Sequence, residues 1–142
     1  MRGKVFLDTN VLVYAYDTHD PEKQVRAQAV LIEALETETG TVSTQVLSEF
    51  FCVVTRRIPA PLSADEAQSV IHELGVLEIV EIDIPMIHRA IEVHKENRLI
   101  YWDALILAAA ERGRCAQVFS EDLNAGQAYA GVKVVNPFVG GV

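Results

Sequence analysis

Lys4-Val5-Phe6-Leu7-Asp8-Thr9-Asn10-Val11-Leu12-Val13-Tyr14-Ala15-Tyr16 is the stretch on which the fold turns. Lys4 to Leu7 reads as a short apolar β-strand that ends on a carboxylate. Asn10 to Tyr16 reads as a short helix directly behind it. The same β-then-α alternation continues along the chain, which is the pattern of a parallel sheet covered by helices. Asp20-Pro21 starts a helix, with Asp as N-cap and Pro in the first turn, that runs to about Glu38 and stops before Gly40. Thr41 to Ser43 is a second strand. Thr44 to Arg57 is helical, with Val46, Leu47, Phe50, Phe51 and Val54 on one face. Ser63-Ala64-Asp65-Glu66 is a capping box for a helix ending at Gly75. Leu77 to Ile82 forms a third strand, Ile84 to Asn97 and Tyr101 to Arg112 two more helices, Gln117 to Ser120 a fourth strand and Val132 to Val135 a fifth.

The chain has 142 residues, half of them hydrophobic, and residues 1–142 are expected to make one domain with a real core. Its net charge of -8 argues against a protein that simply coats nucleic acid, since such proteins neutralise phosphates with Lys and Arg. It leaves room for a metal enzyme, in which a bound cation supplies the positive charge. Cys52 and Cys115 form no CxxC pair and read as incidental or buried thiols in a reducing cytosol. Met1-Arg2-Gly3-Lys4 runs straight into the first strand, so no signal peptide is expected. The apolar block Ile100 to Ala110 is too short for a bilayer and is interrupted by Asp103.

Four acids are candidates for chemistry. Asp8 closes a strand at its carboxyl end, where open α/β sheets bind ligands, although it could also merely cap the next helix. Asp103 sits in a helix that is apolar nearly all round, where a carboxylate is costly without a partner. The helix dipole offers a plainer account of it. Glu49 borders the apolar face of its helix next to Val53 and could equally be a solvated edge residue. Asp122 follows the fourth strand, but Asp is common in turns. Together the four would repel and resist joint ionisation unless a cation held them, and an all-oxygen set suits Mg²⁺ or Mn²⁺. His19, His72, His88 and His94 share no ligand spacing and read as surface or packing residues. Arg56, Arg57, Lys95, Arg98, Arg112 and Arg114 lie at or near helix ends, either to position phosphates or as ordinary solvated charges.

At these residues the sequence resembles the PIN-domain family, and in particular the VapC-type toxins of toxin–antitoxin systems. The matching pieces are Phe6-Leu7-Asp8-Thr9-Asn10-Val11-Leu12-Val13-Tyr14, Gln45-Val46-Leu47-Ser48-Glu49-Phe50, Tyr101-Trp102-Asp103-Ala104-Leu105-Ile106, Ser120-Glu121-Asp122-Leu123-Asn124-Ala125-Gly126 and the closing Val134-Val135-Asn136-Pro137-Phe138. The resemblance implies a three-layer α/β/α fold with a central parallel sheet of about five strands in the order 3-2-1-4-5. It carries over Asp8, Glu49, Asp103 and Asp122 as catalytic, metal-binding acids, with Thr9, Asn10 and Ser120 as polar residues that support them or touch phosphate. Glu121, beside Asp122, leaves open which acid of that turn is used. It further implies a cytoplasmic homodimer, RNA cleavage with Mg²⁺ (or Mn²⁺), and a cognate antitoxin as inhibitor. The expected chemistry is metal-assisted hydrolysis of a phosphodiester with one or two ions. Such hydrolysis makes no use of the ribose 2′-hydroxyl, so the preference for RNA over DNA comes from the resemblance. The alternatives are a related nuclease acting in RNA processing or on DNA without an antitoxin, and a non-catalytic interaction module of the same fold. A haloacid-dehalogenase-like phosphatase would want an Asp where Asn10 stands. A receiver domain would want adjacent acids near the first strand.

Overall fold

The computed structural model describes residues 3–139. Met1 and Arg2, which belong to the segment read above as lacking a leader, lie outside the described residues. The sheet has β1 (Lys4–Leu7), β2 (Gly40–Ser43), β3 (Glu78–Val80), β4 (Cys115–Phe119), β5 (Ala128–Tyr129) and β6 (Val132–Val135) in the order β3-β2-β1-β4-β6-β5. All neighbours run parallel except β5 and β6. The helices are α1 (Thr9–Tyr16), α2 (Pro21–Glu36), α3 (Thr44–Arg56), α4 (Ala64–Leu74), α5 (Ile84–Asn97) and α6 (Tyr101–Arg112).

The expected order 3-2-1-4-5 is therefore present, with β6 in the fifth place. One strand more is found than was expected. β5 folds back on β6 through Ala130 and Gly131, whose φ values of 51° and 79° are both left-handed. Two such residues make the tight hairpin turn that matches strand twist. Ala130 carries none of the Asn-Gly signal that usually announces it.

Local chemistry explains most element ends. Asp20 accepts from Lys23 N at the start of α2, and Ser63 and Glu66 complete the capping box of α4. α5 begins on an Asp83 cap with Pro85 in its first turn and stops where Arg98 turns left-handed (φ 56°). α2 ends at Glu36, two residues before expectation, because Glu38 is itself left-handed (φ 57°).

α6 is buried without a break from Ala104 to Ala110 and packs on β2, β4 and β6. Its alanines let the backbone approach the strands closely, and α5 packs on its other side. α2 approaches β2 so tightly that a Cβ added to Gly40 would lie 2.9 Å from Ala34 Cβ. Phe6, Leu7, Val42 and Val118 are fully buried on the central strands. Among the described residues no helix is long and apolar enough to cross a membrane.

Candidate active site

β1 and β4 are adjacent and parallel, so the turns that follow them emerge side by side at the carboxyl edge of the sheet. Asp8 follows β1 and is 6% exposed. It does cap α1, accepting from Thr9 N at 2.7 Å, but that engages only Oδ1. Oδ2 accepts from the Ser120 hydroxyl, also at 2.7 Å, across from the end of β4. Burial pushes the Asp8 carboxyl up to about 6. The hydrogen bonds from Ser120 and Thr9 pull the other way, and the charges of Asp122 and Glu49 add to the rise.

Asp103 stands in the first turn of α6. Were it only a helix-dipole residue, its carboxyl would be stabilised as the anion. Its pKa is instead raised, first by burial and then by the charges of Asp122 and Glu49. Glu49, on α3, accepts from Thr9 Oγ1 at 2.6 Å and from Gln45 Nε2 at 3.2 Å, so it is held in place from two sides. Asp122 is exposed and accepts from Asn10 Nδ2 at 3.1 Å.

The structure thus brings Asp8, Glu49, Asp103 and Asp122 within electrostatic reach of one another, and Thr9, Asn10 and Ser120 each hydrogen-bond at least one of them. Ser120 is the hub. Fully buried, it donates to Asp8 and accepts from Asp122 N at 3.1 Å and Leu123 N at 3.3 Å. Among the described residues no three His, Cys, Asp or Glu side chains already surround one point closely enough to hold an ion. Each of Asp8, Glu49 and Asp122 is turned onto a hydrogen-bond donor.

The neighbouring Glu121 and Asp122 are separated by their partners. Glu121 receives the Tyr14 hydroxyl at 2.9 Å and forms an ion pair with Lys23, whose ammonium also lies 4.7 Å from the centre of the Tyr14 ring. Asp122, tied to Asn10, faces the other acids. Lys23 is 98 positions from Glu121 along the chain, so no local pattern could have revealed the pair. Gln45 was also missed as a site residue. Its four-residue spacing from Glu49 was the available signal, and its Nε2 also reaches the backbone oxygen of Trp102 at 3.2 Å.

A groove of about 610 Å³ leads away from the acids, lined by Asn10, Val13, Glu49, Cys52, Val53 and Arg57 among others. Arg57 is thus one expected phosphate contact that lies beside the site. Arg112 is instead committed to a two-pronged pair with Asp83 at 2.9 and 3.0 Å. The thiol of Cys52 is exposed and that of Cys115 buried, both free.

Several solved structures share this fold. A crystal structure of Mycobacterium tuberculosis VapC20, described as a sarcin–ricin-loop-cleaving toxin, superposes with a TM-score of 0.67 at 18% identity, covering 84% of this chain and 90% of that one. A toxin–antitoxin complex from Klebsiella pneumoniae gives 0.67 at 20% identity, covering 94% and 98%. VapBC2 of Rickettsia felis, bound to a DNA fragment from its promoter, gives 0.66 at 19% identity, covering 92% and 96%. No curated protein sequence matches this chain. Residues 5–130 match the PIN domain, a span that takes in every acid described above, and the chain belongs to the PIN-domain family.

Proposed function

We propose that this protein is a divalent-metal-dependent endoribonuclease that hydrolyses RNA phosphodiester bonds and serves as the toxin of a type II toxin–antitoxin pair in the cytoplasm. The observation that carries the proposal is the gathering of Asp8, Glu49, Asp103 and Asp122 at the carboxyl edge of the sheet, with two of the four pushed towards the neutral form. The donor set is all oxygen, which fits Mg²⁺ or Mn²⁺, and a cation would offset the burial and, to a lesser degree, the mutual repulsion that raise the pKa values of Asp8 and Asp103. Asp8, Asp103 and Asp122 would hold the ion, with Glu49 either joining them or acting on water. When bound, the ion supplies neutralisation of the charge that develops on the phosphate and acidifies nearby water.

The chain's own groups account for the rest. Ser120 and Thr9 N fix both oxygens of Asp8. Thr9 Oγ1 and Gln45 fix Glu49, whose carboxylate can accept the proton of the attacking water. Asn10 holds Asp122, while Lys23 and Tyr14 keep Glu121 occupied elsewhere. Toxin–antitoxin complexes among the structural neighbours support an antitoxin partner, and an inhibitor of so acidic a site would reach it with Arg or Lys. Homodimerisation belongs to the same proposal. Cleavage of RNA is tested with Mg²⁺ or Mn²⁺, with EDTA, and with Asp8→Asn as control. Cleavage by wild type alone, and only with the divalent ion, is expected. Full activity in EDTA, or in Asp8→Asn, refutes the mechanism.

A further inference from the structure

α3 presents Gln45, Glu49, Val53 and Arg57 at four-residue spacing, so they form one ridge. Arg57 caps the helix, about 12 Å along the axis from Glu49 at the usual rise per residue. It is exposed and lines the groove that opens from the acids, and among the described residues no carboxylate pairs with it. On the other side of Glu49 lies a second depression, lined by Thr44, Gln45, Ser48, Glu49, Ile82 and Trp102. The two hollows share Ser48 and Glu49, so they adjoin one another at Glu49.

Trp102 is the residue immediately before Asp103. It is 59% exposed, although the helix is buried without a break from Ala104 to Ala110, and it is the protein's only tryptophan. Gln45 holds its backbone oxygen, and the Tyr101 ring meets it edge-on at 5.2 Å between centroids. A large, positioned, solvent-facing aromatic surface next to a phosphodiesterase site is the chemistry of a base-stacking platform.

We propose that Trp102 and Arg57 are the substrate subsites on either side of the acid cluster, Trp102 stacking an unpaired base and Arg57 holding a backbone phosphate of single-stranded RNA. The inference rests on the ribonuclease function proposed above. A duplex keeps its bases stacked on one another and offers Trp102 no face, whereas single-stranded segments are recognised through such platforms and a cation on the backbone. A basic inhibitory peptide would gain from the acids but be repelled by Arg57. A nucleic-acid strand gains from Arg57 and Trp102 both.

The single tryptophan makes the test direct. Wild-type protein in EDTA, and Asp8→Asn, are titrated with a short single-stranded RNA of mixed sequence and with the same RNA annealed to its complement, reading tryptophan fluorescence. Saturable quenching by the single strand and none by the duplex is expected. In cleavage assays with Mn²⁺, Trp102→Ala should raise KM ~10-fold with a smaller change in kcat, and Trp102→Phe should recover most of it. Arg57→Ala should raise KM and lower the salt dependence of binding by ~0.7 in log–log slope, the value of one phosphate contact, and Arg57→Lys should restore it. Mn²⁺ affinity should not change in either variant. Unmoved fluorescence and unmoved KM in a wild type that cleaves would overturn the subsites alone. Loss of a dimer in Trp102→Ala with KM unchanged would assign the indole to a protein interface and overturn its subsite. Quenching without any cleavage would instead overturn the ribonuclease function and leave the binding track standing.

Discussion

The most quantitative expectation concerns Asp8 in the metal-free protein. Its carboxyl moves from 3.8 to about 6 on folding, chiefly because it is buried. Holding it ionised therefore costs the fold about 3 kcal/mol. A raised folded pKa means that the native state binds the proton more tightly than the unfolded chain. That contribution to stability is fully present below about pH 4 and is lost as pH rises through about 6. Asp8→Asn is neutral throughout, so it should abolish this slope. The Asn oxygen can accept from Thr9 N or from Ser120 Oγ but not from both, and the lost bond costs ~1–2 kcal/mol at every pH. The mutant should therefore be less stable than wild type near pH ~4, and as stable or more stable near pH ~7, with a swing of about 2–3 kcal/mol between them. For a chain of this length the swing corresponds to roughly 10 °C in Tm. Urea denaturation of both proteins, dialysed free of divalent ions, measures it across that range. The difference isolates Asp8 from opposing groups such as Asp83, whose pKa is lowered by Arg112. A mutant-to-wild-type difference that is flat from pH ~4 to ~7 would refute the electrostatic account of the site.

Three further outcomes are expected. Asp103→Asn removes a charge whose carboxyl burial and two acids already disfavour, so the metal-free mutant should melt at or above wild type. Mn²⁺ at a hundred times its dissociation constant should stabilise wild type by ~2.7 kcal/mol and this mutant much less, measured by thermal melts; a lower-melting mutant with a full metal response would return Asp103 to the role of a helix-dipole residue. Asp122→Asn should lose RNA cleavage at least ~100-fold while Glu121→Gln keeps most of it, since Lys23 and Tyr14 hold Glu121 away; equal losses in cleavage assays would show that both acids of the turn are used. Ser120→Ala should weaken Mn²⁺ binding ~10–100-fold by titration calorimetry, because Asp8 loses the donor that orients it, and unchanged affinity would remove Ser120 from the site.

What was legible in the sequence was whatever is encoded within a few residues. α5, α6 and β6 fall where the pattern put them because each has local punctuation: Asp83 and Pro85 at the start of α5, Arg112 and Gly113 at the end of α6, Asn136-Pro137 after β6. The acids were legible as a set because Asp8 and Asp122 follow strands and Asp103 interrupts a buried apolar run. Which acid of the Glu121-Asp122 turn faces the site was not legible, since Lys23 and Asn10 decide it from the other end of the chain. β5 was hidden for a different reason. Two residues carry no periodicity, and Ala130 adopts a left-handed φ that its side chain does not favour and that the hairpin imposes. β3 was read as longer than Glu78–Val80 because the flanking Leu77 and Ile82 are apolar for packing reasons without joining the ladder.

One electrostatic fact links the fold, the proposed ion and the proposed inhibitor. β1, which Asp8 follows, is held by Phe6 and Leu7, both fully buried, so the strand stays in place although the carboxylate directly after it is unfavourable there. A cost of about 3 kcal/mol is a large part of the stability of an ordinary domain, and a site under selection for folding alone would replace that acid. The strain is relieved by any group that brings positive charge to the carboxylates. A divalent ion would do so as the proposed cofactor, and an Arg or Lys of the proposed antitoxin would do so as an inhibitor, through the same oxygens. The two should therefore compete, and a basic inhibitor should lose affinity as Mn²⁺ is raised. Arg57 stands outside this competition. It lies along α3 from the acids and favours the one ligand that brings negative charge, so the same groove can discriminate substrate from inhibitor by where along the ridge each places its charge.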